Sequence, residues 1–335
     1  MTNGRTPSLR VGVVGLGYIG TFVGGQLHRH PGATVTAVCD LDEEIRADVG
    51  ARFGVDADRR YAAHDRMFAE APLDAVLIGT PHTLHYEQVI DALEADLHVY
   101  CDKPLTTDLE QARDLVARDD RSDRTLMVGY QRHLQRAFQR ARSRWDDGGE
   151  PTWLTASITQ GWIEDSLETW RLEPSLSGGG FLYDTGSHVL DAVLWTTGLE
   201  PVSVAASMDF HDDERRIDRR AHLDVAFESG ATGTFSFDGD AAAVREHIHL
   251  WDEDGAVYLE GKEWGSREVT YVEADSAEYV PYDDHRAERS RGDAFVESVR
   301  DGREPPATAR DALRVTALTE AAYEAARTGD RVTVG

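Results

Sequence analysis

The spacing of apolar and polar positions changes character part-way along the chain. Residues 9–14 (LRVGVV) are a short apolar run that ends in Gly15-Leu16-Gly17-Tyr18-Ile19-Gly20. A helical stretch follows to about His30, and 34–39 (TVTAVC) is β-branched and apolar before stopping at Asp40. The alternation continues: helix over 42–53, strand over 74–79, helix over 83–96, strand over 97–101, helix over 106–119 and strand over 125–129. Strands alternating with helices in this way predict a parallel, doubly wound sheet.

The second half reads differently. Residues 152–160, 202–210, 221–228, 231–237, 246–251, 256–260 and 268–273 are short runs with strand patterning, and Asp254-Gly255 suits a hairpin turn. A mostly antiparallel sheet with a few helices is expected here. Two helices between Arg291 and Arg327, separated by Gly302–Pro306, close the chain. The boundary is placed with residues 1–128 on one side and 129–335 on the other, the charged DDGGEP at 146–151 being the nearby loop.

Composition narrows the partners. The 335 residues carry 35 Lys+Arg against 61 Asp+Glu, a formal charge of −26, yet 41% are hydrophobic, so the core is not depleted. A surface of this sign repels nucleic acid and anionic membranes. Only two of the basic residues are lysines, Lys103 and Lys262. The composition resembles that of proteins from extreme halophiles, where a Debye length of about 3 Å in molar salt screens self-repulsion; folding is expected to need high salt. The polar start, MTNGRTPSLR, and the lack of a long apolar stretch predict a soluble cytoplasmic protein. Cys39 and Cys101 lie in apolar runs and read as buried thiols. His28, His30 and His64 read as surface residues. His211, His222, His247 and His249 fall in the sheet region without a carboxylate at metal-ligand spacing, so no metal is expected.

The glycine motif has the context that gives it meaning. A strand precedes Gly15, Gly17 and Gly20, a helix follows, and Asp40 ends the next strand. The first glycine permits the tight turn, the second lets the backbone approach a pyrophosphate, and the third lets helix pack on strand. Asp40 would accept the ribose hydroxyls, and Asp42, Glu43 and Glu44 beside it would repel a 2′-phosphate. NAD is therefore expected in preference to NADP.

Three further segments carry candidate chemistry. Gly79-Thr80-Pro81-His82-Thr83-Leu84-His85 and Cys101-Asp102-Lys103-Pro104 end two of the parallel strands, where an open sheet forms its ligand crevice. Lys103 is a lysine retained where arginine serves almost everywhere else, which points to a need for a compact, titratable ammonium. Ser177-Gly178-Gly179-Gly180 leads into a helix on which Asp184 and His188, four apart, share a face and suit acid–base work.

GLGYIG, GTPHTLHYE, DKPLT and GGGFLYDTGSHVLD, in this order, resemble the Gfo/Idh/MocA oxidoreductases over essentially the whole chain, including MVGYQRH and the closing YEAARTGDRVTV. The resemblance implies an N-terminal Rossmann domain and a C-terminal α+β domain with a large open sheet, through which homodimers or homotetramers form. It implies dehydrogenation of a secondary alcohol on a sugar, polyol or sugar acid. Lys103 would hydrogen-bond the reacting hydroxyl, His188 would be the general base, and Asp184 would orient His188 or hold a substrate hydroxyl. Gly15, Gly17, Tyr18, Ile19, Gly20, Asp40, Thr80, Pro81, His85, Asp102 and Lys103 would line the cofactor. Gln131 and Arg132 would lie near the nicotinamide, while Trp162 and Arg171 would face the substrate, as an aromatic platform and a partner for hydroxyls or a carboxylate. The chain departs from the family pattern at Asp102, usually Glu, and at His82, commonly Asn. A non-catalytic NAD-binding sensor and an NAD-dependent glycosidase of the same fold are the alternatives.

Overall fold

The structure is a computed structural model that describes residues 8–145, 148–281 and 288–335. The first seven residues and Asp146–Asp147 of the expected DDGGEP loop lie outside the described residues. Two compact units emerge. The first takes the chain up to Thr106, Glu110–Gly129 and Arg289–Ala309; the second takes Thr107–Leu109, Tyr130–Glu288 and Arg310–Gly335. The expected boundary is a single cut after residue 128, whereas Arg289–Ala309 groups with the first unit.

The first unit contains β1 (Leu9–Val14), α1 (Tyr18–Arg29), β2 (Ala33–Cys39), α2 (Glu43–Arg52), β3 (Arg60–Tyr61), α3 (His64–Glu70), β4 (Ala75–Ile78), α4 (His85–Glu94), β5 (His98–Cys101), α5 (Leu109–Asp119) and β6 (Leu126–Val128). The strands form a six-stranded parallel sheet in the order β3-β2-β1-β4-β5-β6. Val11, Val13, Val38, Val76, Leu77 and Val99 are fully buried, as expected of parallel strands covered on both faces. Strand order reverses beside β1, whose Val14 pairs with Cys39 on one side and Ile78 on the other. Gly15, Asp40 and Gly79 therefore follow the carboxyl ends of three adjacent strands, at the switch point where open sheets bind ligands. The Asp42 side chain caps α2, accepting from Glu44 N (2.8 Å) and Ile45 N (3.0 Å).

The second unit is built on a nine-stranded sheet. Its chain runs through α6 (Arg136–Ser143), β7 (Trp153–Thr159), α7 (Trp162–Asp165), α8 (Pro174–Ser177), a π-helical turn (Leu182–Gly186), α9 (Ser187–Thr197), β8 (Pro201–Phe210), β9 (Asp218–Phe227), β10 (Thr232–Asp238), β11 (Arg245–Trp251), β12 (Gly255–Lys262), β13 (Glu268–Glu273) and β14 (Glu278–Tyr279). After α10 (Arg291–Asp301), which belongs to the first unit, it ends in α11 (Ala309–Thr328) and β15 (Val332–Thr333). The order is β14-β13-β12-β11-β7-β10-β9-β8-β15, antiparallel throughout except for the β7–β10 pair. Side chains alternate across the pleat: Leu154, Ala156, Ile158, Phe235, Phe237, Ile248 and Leu250 are buried, while Thr155, Ser157 and Thr159 face the other way. That second face is broad and open, with Ser157 bonded to His247 and Ser236 to His222.

Among the described residues no helix is long and apolar enough to cross a membrane, and no group of three or more His, Cys, Asp or Glu is placed to hold a metal ion. Cys39 and Cys101 are free and buried; burial pushes the Cys39 thiol up to about 12 and Cys101 well above its ordinary range.

Candidate functional site

The three motif glycines of the first unit have three different surroundings. Gly15 has φ +78°, and a Cβ there would sit 2.7 Å from the Gly79 carbonyl oxygen. A Cβ on Gly20 would lie 1.8 Å from Gly15 O, so α1 touches the turn backbone to backbone. Gly17 is the opposite case. A Cβ would meet nothing within 4 Å, and the residue caps α1 with no side-chain hydrogen bond. The opening backbone amides of α1 lie at the positive end of the helix dipole, and the open space beside Gly17 fits a pyrophosphate there. Tyr18 beside it is 71% exposed, while Ile19 packs toward Gly79. Asp40 accepts from Leu16 N (2.7 Å) and Asp42 N (3.0 Å), and so fastens the glycine turn to the end of β2. Arg46 donates to the carbonyls of Asp40 (2.7 Å) and Leu41 (3.0 Å). Glycine turn, uncapped helix start and strand-end acid together fit a dinucleotide.

The two other strand-end segments of this unit are tied together. Thr80 donates from Oγ1 to Gln88 Oε1 (2.7 Å). Fully buried His85 places Nδ1 2.8 Å from Pro104 O and Nε2 2.9 Å from Thr80 O. Burial first, and His82 second, lower its pKa to about 4, so the neutral ring donates to one of the two carbonyls. Either way, one ring spans from the Thr80–Pro81 segment to the Lys103-Pro104 turn. Lys103 and Asp102 are both buried there. Arg291, from α10, brings Nη1 to 4.0 Å from Asp102 Oδ1. Tyr100 and Asp102 raise the Arg291 pKa against the opposing effect of burial. Arg291 is part of this site that sequence reasoning missed, because it returns from 189 residues beyond Asp102 in the chain (291 − 102).

In the second unit the glycine run is packed on every side. A Cβ would meet Thr107 Oγ1 at 2.4 Å from Gly178, Tyr183 Cδ2 at 2.2 Å from Gly179, and the Asp218 backbone O and N at 2.2 and 2.3 Å from Gly180. Asp218 anchors the segment just after the glycines. Its carboxylate accepts from Leu182 N (3.0 Å) and from Tyr323 Oη, which itself accepts from Gly180 N (2.9 Å). Burial raises Asp218 to about 6, opposed by these hydrogen bonds. The segment so anchored is the π turn that runs into α9, a local irregularity often found at functional sites.

Asp184 on that turn accepts from Trp162 Nε1 (2.6 Å) and Arg171 Nε (2.9 Å), both at Oδ2. Three of the expected site residues thus form one cluster. Trp162 is 2% exposed and its ring faces Phe181, so it meets Asp184 as a hydrogen-bond donor and presents no open face as a sugar platform. His188, also buried, has Tyr130 edge-on (centroids 6.3 Å) and Trp264 at 5.7 Å. Behind it, His133 pairs with Asp191 (3.0 Å) and stacks on Trp195 at 4.3 Å. Arg132 is turned inward: its guanidinium grips Glu246, as does Arg267 (2.9 Å). Those two arginines hold Glu246 below the usual carboxylate range in spite of its burial. Gln131, itself half-buried, opens the otherwise buried turn in front of Arg132. Asp218, Tyr323, Tyr130 and Trp264 were not legible as site residues; each meets the motif from a distant part of the chain.

The first unit thus carries the glycine turn and strand-end acid, and the second carries Asp184 and His188 on one segment. A family model described as "Oxidoreductase family, NAD-binding Rossmann fold" matches residues 9–130, and the GFO/IDH/MocA C-terminal domain matches 138–258. D-xylose 1-dehydrogenase [NADP(+)] from Haloarcula marismortui is 31% identical over 271 residues, covering 78% of this chain and 70% of that protein. Myo-inositol 2-dehydrogenase from Thermotoga maritima is 28% identical over 319 residues, 89% and 90% of the two chains. Among solved structures, an aldose-aldose oxidoreductase from Caulobacter crescentus, complexed with glycerol, superposes with a TM-score of 0.85 at 25% identity, covering 97% and 99% of the two chains. The chain belongs to the Gfo/Idh/MocA family of oxidoreductases.

Proposed function

We propose that this protein is an NAD-dependent dehydrogenase that oxidises a secondary alcohol of a sugar, polyol or sugar acid. The observation that carries the reading is Lys103. In a chain that uses arginine at every other basic position except Lys262, a lysine is kept, buried, at the carboxyl end of β5 and braced through His85. The named relatives, a xylose and an inositol dehydrogenase, support the substrate class.

A bound nicotinamide supplies the hydride acceptor. Gly15, Gly17, Tyr18, Ile19 and Gly20 would hold its dinucleotide through backbone amides, Asp40 the adenosine ribose, and Thr80, Pro81, His85 and Asp102 the other end. Lys103 hydrogen-bonds the reacting hydroxyl and favours loss of its proton; His188 takes that proton as general base; Asp184 orients the base or a neighbouring hydroxyl. The preference for NAD over NADP rests on Asp40, Asp42, Glu43 and Glu44, with Arg46 already engaged by two backbone carbonyls. The Haloarcula relative carries NADP(+) in its name, so the ratio of turnover with the two cofactors is the direct test of this point. Association of like copies through the open face of the nine-stranded sheet, cytoplasmic residence and a need for molar salt complete the proposal.

The experiment is a screen of sugars, polyols and sugar acids with NAD+ at molar KCl, followed by NADH fluorescence. NADH produced with at least one member of these classes supports the reading; none with any of them overturns it.

A further inference from the structure

We infer that Arg171 and Trp162 are positioning residues, which hold the Asp184 carboxylate charged and in one orientation for the acid–base chemistry. This rests on the dehydrogenase reading above for its kinetic arm only.

Two donors from different elements converge on a single oxygen. Trp162 Nε1 lies 2.6 Å from Asp184 Oδ2 and Arg171 Nε lies 2.9 Å from the same atom. Each donor is itself fixed. Trp162 opens α7, is 2% exposed, and packs at 5.9 Å against Phe181, so its N–H has no access to bulk water and depends on a protein acceptor. Arg171 sits in a single 3₁₀ turn, Trp170–Leu172, capped by Thr169, and its guanidinium lies 4.7 Å from the Trp170 ring centroid. Both donors favour the ionised carboxylate, since a proton on Oδ2 would oppose an indole N–H and a guanidinium together.

The consequence concerns both role and specificity. Arg171 is bonded through Nε to an internal carboxylate, so it acts on the substrate through Asp184. Its side chain is 35% exposed while that of Asp184 is 10% exposed, so the ion pair is partly screened and the buried indole is the firmer of the two anchors. Asp184, held ionised, is a hydrogen-bond acceptor for a hydroxyl or for the His188 imidazole, which leaves the proton-taking role to His188.

The test uses the full chain in molar KCl with NAD+, D-xylose and myo-inositol as probes, comparing wild type with Arg171→Met, Arg171→Lys and Trp162→Phe. For Arg171→Met the expected result is a fall of about tenfold or more in kcat, NADH affinity unchanged, and an acidic limb of the kcat/KM profile moved to higher pH. Arg171→Lys restores part of both. Independently of turnover, the Trp162 indole N–H resonance should follow a carboxylate titration in wild type and shift in Arg171→Met. Equal losses in the Lys and Met variants with an unmoved pH profile would reduce Arg171 to a structural role and overturn the inference. So would an indole resonance indifferent to both pH and Arg171. Absence of turnover by wild type on either sugar would weigh against the dehydrogenase reading alone, and the indole measurement would still decide the clamp.

Discussion

Two glycine runs open helices in this protein, and they are glycine for opposite reasons. At GLGYIG the middle residue, Gly17, borders open space, and the helix behind it starts with no side-chain cap. At Gly178-Gly179-Gly180 every added Cβ would strike protein: Thr107, Tyr183 and Asp218. The first run leaves room for something that is not protein; the second lets the backbone press onto the Asp218–Tyr323 pair so that the π turn carrying Asp184 is held from behind. Glycine content alone does not separate a ligand loop from a packing joint. What a side chain would meet does.

That contrast is open to attack by mutation. Gly180→Ala should have the largest effect. Its Cβ meets backbone atoms of Asp218 that cannot swing aside, so a loss above ~3 kcal/mol or failure to fold is expected in a melting experiment. A melting temperature close to wild type would show the joint to be compliant. Next, Lys103→Ala should leave NAD binding intact and lower turnover by about 10²-fold or more, measured by NADH release; undiminished turnover would remove Lys103 from catalysis. Gly17→Ala should melt like wild type, since φ is −69° and the space is empty, yet bind NADH about tenfold more weakly by fluorescence titration. Unchanged affinity would mean that the open space is not the pyrophosphate position.

A further expected effect concerns pH. Asp218 ionises at about 6 when folded, against 3.8 for an unperturbed aspartate. Between these values the folded chain keeps a proton that the unfolded chain has lost. This group's contribution is therefore fully present below about 3.8 and is lost as pH rises through about 6. Asp218→Asn keeps a neutral acceptor without that loss. Its melting temperature relative to wild type should therefore climb by a few degrees between roughly pH 4 and pH 7, reflecting about 3 kcal/mol. A difference that stays flat across the window would contradict the buried, proton-holding state of Asp218.

Legibility in the sequence followed how local each feature is. Residues 9–14 and 268–273 are strands with the expected limits, because an apolar run or an alternating one carries its own period. β3, β14 and β15 are two residues each and exist only through their partner strands, so no pattern announces them. α3 buries only Met67 among its described residues, too little for a stripe. Within the candidate site, Lys103, Asp184 and His188 stood out by residue type and by position after glycines or at strand ends. Their supports did not. Arg291 at Asp102, and Tyr323 at Gly180 across 143 residues, are joined by folding alone. Arg171 was legible as a site residue but not its partner: the cation expected to face substrate is bonded to Asp184.

A dehydrogenase consumes cofactor in each cycle. Counting NADH released per enzyme molecule in molar KCl, with NAD+ and an excess of the sugar or polyol that responds best, tests it most directly. NADH should rise far beyond one equivalent of enzyme, with little or none from Lys103→Ala. A plateau at or below one equivalent, with the sugar cleaved or unchanged, would contradict it and point to a protein that returns its cofactor every cycle or merely senses it.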